Sequence, residues 1–227
     1  MKHPRHVAVA ERLHDRPLLS LLIEGEMVWI HEEALRLLRE TGVVIRDREI
    51  VAHLSGSGAR VHSQNGAARV TIPTDLVIAC LAEAPALVTL YDRLGEEAMV
   101  LGSGRFHARS SSGATAVFDL ESGKPRDPTS TDAANAVRVA DRLPNVHGVS
   151  TMAVQPADVP PSTVDVHAVR IALLNTLKPL GHVCLNEHLI EPVISMVAAT
   201  VGGETYLQGR PTLTALAEST SPLQFVS

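Results

Sequence analysis

The fold is decided by the stretch Pro161-Ser-Thr-Val-Asp-Val-His-Ala-Val-Arg-Ile-Ala-Leu-Leu-Asn-Thr176 and, after two intervening residues, by Pro179-Leu-Gly-His-Val-Cys184. Its apolar residues Val164, Ala168, Ile171 and Leu174 recur at helical spacing, which predicts a helix over residues 161–176 with these side chains on one face. The short apolar run after it is typical of a buried strand. A helix joined so closely to a buried strand indicates an alternating α/β chain.

The same alternation continues on both sides of this stretch. Further strands are predicted over residues 114–120, 146–151 and 212–217, and further helices over 130–143 and 187–201. Ser130, Thr131 and Asp132 are candidate N-caps for the first of these helices. Four strands alternating with three helices predict a parallel sheet, whose ligands gather at the carboxyl ends of the strands.

Residues 1–101 have a different organisation, with helices and a hairpin instead of a repeating unit. Helices are predicted over 27–41, 47–54 and 73–85, and strands over 43–45 and 87–91. Asn65-Gly66 lies between the apolar runs 59–62 and 68–72, which is the strongest short signal for a β-hairpin. We therefore predict two domains, residues 1–101 and 102–227, with the polar, glycine-rich stretch 102–132 at the change in organisation.

Composition excludes several classes of function. Of the 227 residues, 45% are hydrophobic and 20% charged, which is enough apolar material for a sizeable core. The net charge of −5 and the lack of long Lys/Arg runs argue against nucleic acid as a partner. No apolar run approaches the roughly 18 residues of a membrane span. Cys80 and Cys184 form no C-x-x-C pair, so a reducing, cytoplasmic location is expected.

Short fragments in a fixed order carry a family resemblance. The longest is Ile30-His-Glu-Glu-Ala-Leu-Arg-Leu-Leu-Arg-Glu-Thr-Gly-Val43. The others are Ile72-Pro-x-x-Leu-Val77, Ala84-Pro85, Thr89-Leu-Tyr91, Asp119-Leu-Glu-x-Gly123, Leu143-Pro-Asn145, Val159-Pro160, Asn175-Thr-x-Lys-Pro179 and Ser221-Pro-Leu223. Together they resemble the trimethylamine methyltransferase family across residues 27–223.

The resemblance implies a (β/α)₈ barrel that moves a methyl group from a methylated amine to a cobalt corrinoid. In that family the corrinoid is carried on a partner protein, so this chain is expected to bind no cofactor directly. Some members use pyrrolysine, and others lack it and act on quaternary amines such as glycine betaine. The implied partners are therefore a corrinoid protein and a small methylated amine.

Two features depart from the family pattern. The family's glycine-rich triplet appears in this chain as Ser111-Ser-Gly113, with serine at its first two positions. Family members are also about twice as long, so the resemblance covers an amino-terminal half. The expected fold is a partial barrel preceded by an α+β region with a hairpin, with catalytic residues expected in the other half. Self-association or assembly with a complementary chain is expected at the open edge of such a sheet.

The candidate substrate-binding residues lie where strands are predicted to end. Ser150 and Thr151 follow one strand, Cys184 with Asn186 and Glu187 another, and Glu218 with Ser219 and Thr220 a third. Such positions bind substrate in barrels. Glu218 would either face a substrate cation or be a surface charge. Ser111, Ser112 and Gly113 would either line the pocket or form a tight turn.

Aromatic faces also stabilise a methylammonium cation. Tyr91 and Phe118 are candidates for lining the pocket, with core packing as the alternative. His182 and Cys184 alternate on one strand, but a zinc site would need two more ligands, and none occurs at a recognisable spacing. Two alternatives remain: a non-catalytic half-barrel that binds a corrinoid protein or a betaine-like ligand, and a metal-dependent barrel hydrolase.

Overall fold

The computed structural model describes residues 21–64, 67–216 and 223–225. These residues divide into two compact units, and each is described by itself. The hairpin unit contains residues 21–85 with 223–225, and the parallel-sheet unit contains residues 86–216. The structural division lies at residue 86, whereas the sequence places the start of the second domain at residue 102.

The hairpin unit contains helices and a small mixed sheet. Its elements are α1 (Glu24–Arg36) with a π-helical turn (Leu37–Thr41), β1 (Val43–Ile45), α2 (Arg48–Gly56), β2 (Arg60–Gln64), β3 (Ala67–Thr71), α3 (Thr74–Glu83) and β11 (Gln224–Phe225). The strand order is β11-β1-β3-β2, with β1 and β2 antiparallel to β3 and β11 parallel to β1. The predicted hairpin is therefore confirmed, while its Asn65-Gly66 turn lies outside the described residues.

A small apolar core holds the hairpin unit together. Val43, Ile45 and Val70 alternate on the inner face of the strands and are buried with Ala59. Gly42 leads into β1 with φ of +74°, and a Cβ at this position would lie 2.9 Å from the Val70 carbonyl carbon. Glycine is required here because both the dihedral and the close approach exclude a side chain.

The parallel-sheet unit contains the predicted alternation of strands and helices. Its elements are β4 (Val88–Tyr91), β5 (Glu97–Leu101), β6 (Val117–Phe118), β7 (Pro125–Arg126), α4 (Ser130–Arg142), β8 (Val149–Ser150), α5 (Val164–Asn175), β9 (Leu180–Val183), α6 (Ile190–Val201), α7 (Glu204–Gly209) and β10 (Leu213–Leu216). Strands β8, β9 and β10 form a parallel sheet in the order β10-β9-β8. The described residues form several small sheets and no closed barrel.

One apolar cluster joins the sheet to its helices. Val149 of β8 and Leu180 of β9 pack with Val137 of α4, Val169 of α5 and Val197 of α6, all of them buried. Cationic side chains cap two of the helices at their carboxyl ends. Lys178 Nζ donates to Ala140 O in the last turn of α4 and to Leu143 O just after it, and Arg93 donates to Leu173 O in the last turn of α5 and to Thr176 O just after it.

The structure corrects three details of the sequence prediction. Residues 114–120 are not a strand of the parallel sheet: Asp119 accepts from Ser122 in a tight turn, and β6 pairs antiparallel with β7. The chain instead runs beside β8 through single parallel bridges from Arg109 to Gly148 and from Ala114 to Val154. The N-cap of α4 is Thr129, whose hydroxyl accepts from Asp132 N.

The third correction concerns the face of α5. Val164, Ala168 and Ile171 are buried as predicted, but Leu174 is 67% exposed. Asp165 and Val169 are fully buried instead, because the sheet and the neighbouring helices cover a broader arc of α5 than a single stripe. No helix within residues 21–64, 67–216 and 223–225 is long and apolar enough to cross a membrane.

Candidate functional site

The carboxyl ends of β8 and β9 bring polar side chains together in the parallel-sheet unit. Ser150 is the last residue of β8 and pairs in register with Gly181 of β9. Successive residues of a strand point to opposite faces. Val149 and Leu180 pack against the helices, so Ser150 and Gly181 occupy the other face of the sheet. His182, one residue further along β9, returns to the helix side.

On the helix side, three buried side chains form a hydrogen-bonded chain. Thr151 Oγ1 lies 2.7 Å from His182 Nδ1, and His182 Nε2 lies 3.1 Å from Asp165 Oδ1. The exposed fractions of these residues are 2%, 2% and 0%, respectively. Asp165 Oδ1 also accepts from the backbone N–H of Leu185 at 3.0 Å. The first turn of α5 is thereby attached to the loop that follows β9.

The hydrogen bonds define the state of His182. Asp165 Oδ1 acts as an acceptor, so Nε2 carries the hydrogen, and Nδ1 accepts from the Thr151 hydroxyl. Burial lowers the pKa of His182, although the charge of Asp165 and its hydrogen bond oppose that effect. Burial therefore favours the neutral imidazole, in which Nε2 carries the hydrogen.

The same surroundings act on Cys184. Burial raises the pKa of its thiol, and the negative charge of Asp165 adds to the effect. A thiol with a raised pKa holds little thiolate at neutral pH, so Cys184 is a poor nucleophile. The nearby Asn186 caps a single helical turn at residues 187–189 by accepting from His188 N, and Glu187 is exposed there.

On the opposite face of the sheet, Ser150 is 1% exposed. Its backbone N–H donates to Ser110 Oγ at 2.8 Å, while its own Oγ is buried with no hydrogen-bond partner in the described part of the chain. The Arg109 side chain lies over Gly181, where an added Cβ would overlap Nη1 and lie 2.9 Å from Cζ. Glycine at position 181 therefore makes room for the guanidinium group.

A cleft lies beyond the end of β8, with a volume of about 310 Å³. It is lined by Thr115, Gln155, Pro156, Ala157, Val159, Pro161 and Val164. Its volume is at the lower end of small-molecule sites. Val164 adjoins the buried Asp165, so the cleft borders the same loops as the hydrogen-bonded chain.

Ser112 and Gly113 lie in the segment that runs beside β8. Gly113 has φ of +88° and donates its N–H to Met152 O at 2.8 Å, while Ser112 is half-buried. The structure therefore brings this turn next to the loop after Ser150 and Thr151. Its role as pocket lining stays a prediction.

Of the remaining candidates, Tyr91 and Phe118 do not lie at the carboxyl ends of β8 and β9. Tyr91 donates its backbone N–H to Pro211 O, just before β10 begins, so it lies at the amino ends of the parallel strands. Phe118 lies in β6 and is 73% exposed. Glu218, Ser219 and Thr220 lie outside the described residues. Within the described ranges, no three His, Cys, Asp or Glu side chains are grouped so that they could hold a metal ion.

Sequence reasoning missed Asp165 and Arg109. Asp165 is flanked by Val164 and Val166 in an otherwise apolar helix face, and an acidic residue there is the one signal that could have indicated a buried polar contact. Arg109 has no local signal, because its contact with Gly181 depends on the pairing of separate strands.

Comparison with known proteins identifies the family. The family model described as "Trimethylamine methyltransferase (MTTB)" matches residues 2–227. Trimethylamine methyltransferase MttB of Desulfitobacterium hafniense (strain DSM 10664 / DCB-2) is 31% identical over 204 residues, which cover 90% of this chain and 40% of that protein. Glycine betaine methyltransferase of Desulfitobacterium hafniense (strain Y51) is 24% identical over 209 residues, covering 92% and 43%.

The chain thus spans about two fifths of the length of these two relatives. The match extends over nearly all of its own residues, including the strand ends described above. This chain belongs to the trimethylamine methyltransferase family.

Proposed function

We propose that this chain forms part of a methyltransferase that moves a methyl group from a methylated tertiary or quaternary amine to a corrinoid protein. The observation that carries the proposal is the family match over residues 2–227. The relatives are named for trimethylamine and for glycine betaine, so a methylated amine is the substrate class. In this reaction the C–N bond breaks, its electron pair stays on the departing amine nitrogen, and the methyl group is transferred to the corrinoid. The corrinoid supplies the nucleophile when its carrier protein docks.

The parallel sheet supports the architecture that goes with this function. Consecutive parallel strands β8, β9 and β10 joined by helices are the repeating unit of a (β/α)₈ barrel. In such barrels the substrate binds at the carboxyl ends of the strands. We infer that residues 102–216 contribute about the first half of a barrel, and that Ser150 and Thr151 lie at its substrate end.

The chain's own residues would orient the substrate and hold the strand ends rigid. The Asp165–His182–Thr151 chain fixes β8, β9 and the start of α5 relative to one another. His182 is buried with both ring nitrogens in hydrogen bonds, and the raised pKa of the Cys184 thiol disfavours its thiolate, so neither side chain is a strong competing nucleophile. Positioning is the main contribution that a protein makes when the cofactor supplies the reactivity. Two free cysteines fit the proposed cytoplasmic location.

Binding and turnover experiments on the purified chain test the proposal. Calorimetry with trimethylamine and glycine betaine is expected to show binding of at least one of them. A methyl-transfer assay with cob(I)alamin and the bound amine then measures conversion to methylcobalamin. Turnover supports the methyltransferase directly. Because the catalytic residues are expected in the other half of the barrel, the assay is repeated with a complementary chain that carries that half. Binding without turnover in this mixture supports the alternative, a non-catalytic binding protein for a betaine-like ligand or a corrinoid protein. Failure to bind any methylated amine contradicts the proposal.

A further inference from the structure

The Arg109 guanidinium lies on the sheet face opposite the helices, beside a buried hydroxyl. It covers Gly181, and Gly181 pairs in register with Ser150. Paired residues on neighbouring strands lie on the same face, about 4.8 Å apart. The guanidinium therefore lies next to the position from which the Ser150 side chain projects.

Neither group has a partner among the described residues. No ion pair between described residues includes Arg109, and its side chain makes no hydrogen bond to any of them. Ser150 Oγ is buried and likewise has no partner in that part of the chain. A buried hydroxyl without a partner costs free energy, and a ligand group or a water molecule can supply the missing hydrogen bond. Arg109 is exposed and can be reached by a ligand.

An unpaired guanidinium next to a hydroxyl has the chemistry of a carboxylate site. The planar fork of arginine donates two parallel hydrogen bonds to the two oxygens of a carboxylate. A serine hydroxyl supplies a third donor to the same group. A bare methylammonium ion would be repelled by the arginine, whereas a zwitterion would present its carboxylate to it.

We propose that Arg109 and Ser150 bind the carboxylate of a zwitterionic methylated amine, which makes Arg109 a specificity-determining residue. The proposal rests on the methylated amine assigned under the proposed function. It favours a betaine-type substrate over trimethylamine, although the trimethylamine methyltransferase is the more similar of the two relatives at 31% identity, against 24% for the glycine betaine enzyme.

Gly181 offers a way to displace the guanidinium without removing it. A Cβ at position 181 would overlap Nη1 and lie 3.0 Å from Cδ of Arg109. The far end of an arginine is flexible, so Gly181→Ala is expected to move the guanidinium away from Ser150. Arg109→Gln removes the charge, and Arg109→Lys keeps the charge but loses the two-pronged geometry. Arg105→Gln is the matched control, because Arg105 is an exposed arginine in the same segment.

The experiment combines calorimetry with NMR of the Arg109 Nε–Hε group in the full chain. The probes are glycine betaine, tetramethylammonium and acetate. Glycine betaine is expected to bind about 10- to 100-fold more weakly to Arg109→Gln, the loss typical of a hydrogen bond to a charged group. Gly181→Ala is expected to weaken glycine betaine binding by a similar factor. Arg109→Lys is expected to keep part of the wild-type affinity, and Arg105→Gln is expected to leave the affinity unchanged. Acetate is expected to shift the Arg109 Nε–Hε signal, whereas tetramethylammonium is not.

The outcomes separate this inference from the proposed function. Equal affinity of glycine betaine for the wild-type chain and for folded Arg109→Gln overturns the carboxylate site while leaving a methylated-amine site intact. No binding of any methylated amine, with an Arg109-dependent response to acetate, contradicts the proposed function but supports an anion site at Arg109. Circular dichroism of each variant verifies that it folds. If Arg109→Gln does not fold, Arg109→Lys supplies a second test of the site.

Discussion

Replacing Asp165 by alanine tests whether the Asp165–His182–Thr151 chain holds the strand ends together. Asp165 is 0% exposed, and its Oδ1 accepts from His182 Nε2 at 3.1 Å and from Leu185 N at 3.0 Å. Alanine leaves both donors without their acceptor. His182 is 2% exposed, so water cannot replace the carboxylate there.

The magnitude follows from these two donors. Leaving the buried imidazole N–H without an acceptor is expected to cost about 1–3 kcal/mol, and leaving the partly buried Leu185 N–H without one about 0.5–1.5 kcal/mol. Removing a buried carboxylate also relieves its desolvation, which offsets part of that sum. We expect Asp165→Ala to lower the free energy of unfolding by about 2 kcal/mol, equivalent to about 1 M in the urea midpoint.

Urea denaturation followed by far-UV circular dichroism measures this change, and hydrogen exchange at the Leu185 amide shows whether it is local. Asp165→Asn is expected to lose less than half as much, because its amide oxygen can keep both acceptor contacts. Asp127→Ala, an exposed aspartate in the same unit, is the control. The reasoning is refuted if Asp165→Ala costs less than about 0.5 kcal/mol, the size of an ordinary surface substitution, and leaves Leu185 exchange unchanged.

Three further predictions concern pH, backbone strain and association. The His182 ring contacts Asp165 and Thr151, and burial lowers its folded-state pKa from 6.5, so below that pH the unfolded chain binds a proton that the folded chain does not. The contribution of His182 to the free energy of unfolding is therefore fully present above pH 6.5, and it falls by at most about 1.4 kcal/mol per pH unit below that pH. Urea denaturation at several pH values should show that His182→Gln removes this part of the pH dependence. Gly42→Ala should lower the free energy of unfolding by about 1–2 kcal/mol or more, since φ is +74°, whereas Gly56→Ala, at the last residue of α2 with open space around it, should be neutral or stabilising; equal melting temperatures for the two variants would refute this. Strand β10 lies at the edge of the described sheet, so we expect concentration-dependent self-association in sedimentation experiments, reduced in Leu216→Lys; a stable monomer at all concentrations contradicts it.

The sequence was informative wherever the determining interactions are local. The spacing of apolar residues over 161–176 and 179–184 predicted a helix and a buried strand, and α5 and β9 confirm both. The hairpin β2–β3 and the parallel pairing of β8, β9 and β10 were also predicted from periodicity and alternation. These features follow from repeats of two or 3.6 residues, which a sequence displays directly.

The segment around residues 107–120 shows where such patterns fail. An apolar run at 114–120 predicted a barrel strand, but a turn at Asp119 folds its second half back onto β7. The partner of β8 is the less apolar stretch near Arg109. Strand pairing is decided by which segment satisfies the edge of β8, and local hydrophobicity does not encode that choice.

By itself, the sequence determined the family, the alternating α/β order and the candidate residues Ser150 and Thr151 at a strand end. Only the tertiary structure decided which side chains meet them. Thr151 contacts His182 across 31 residues of chain, Asp165 joins them from α5, and Arg109 lies over Gly181. The physical reason is that burial and register bring these groups together, and both depend on how separate strands and helices pack.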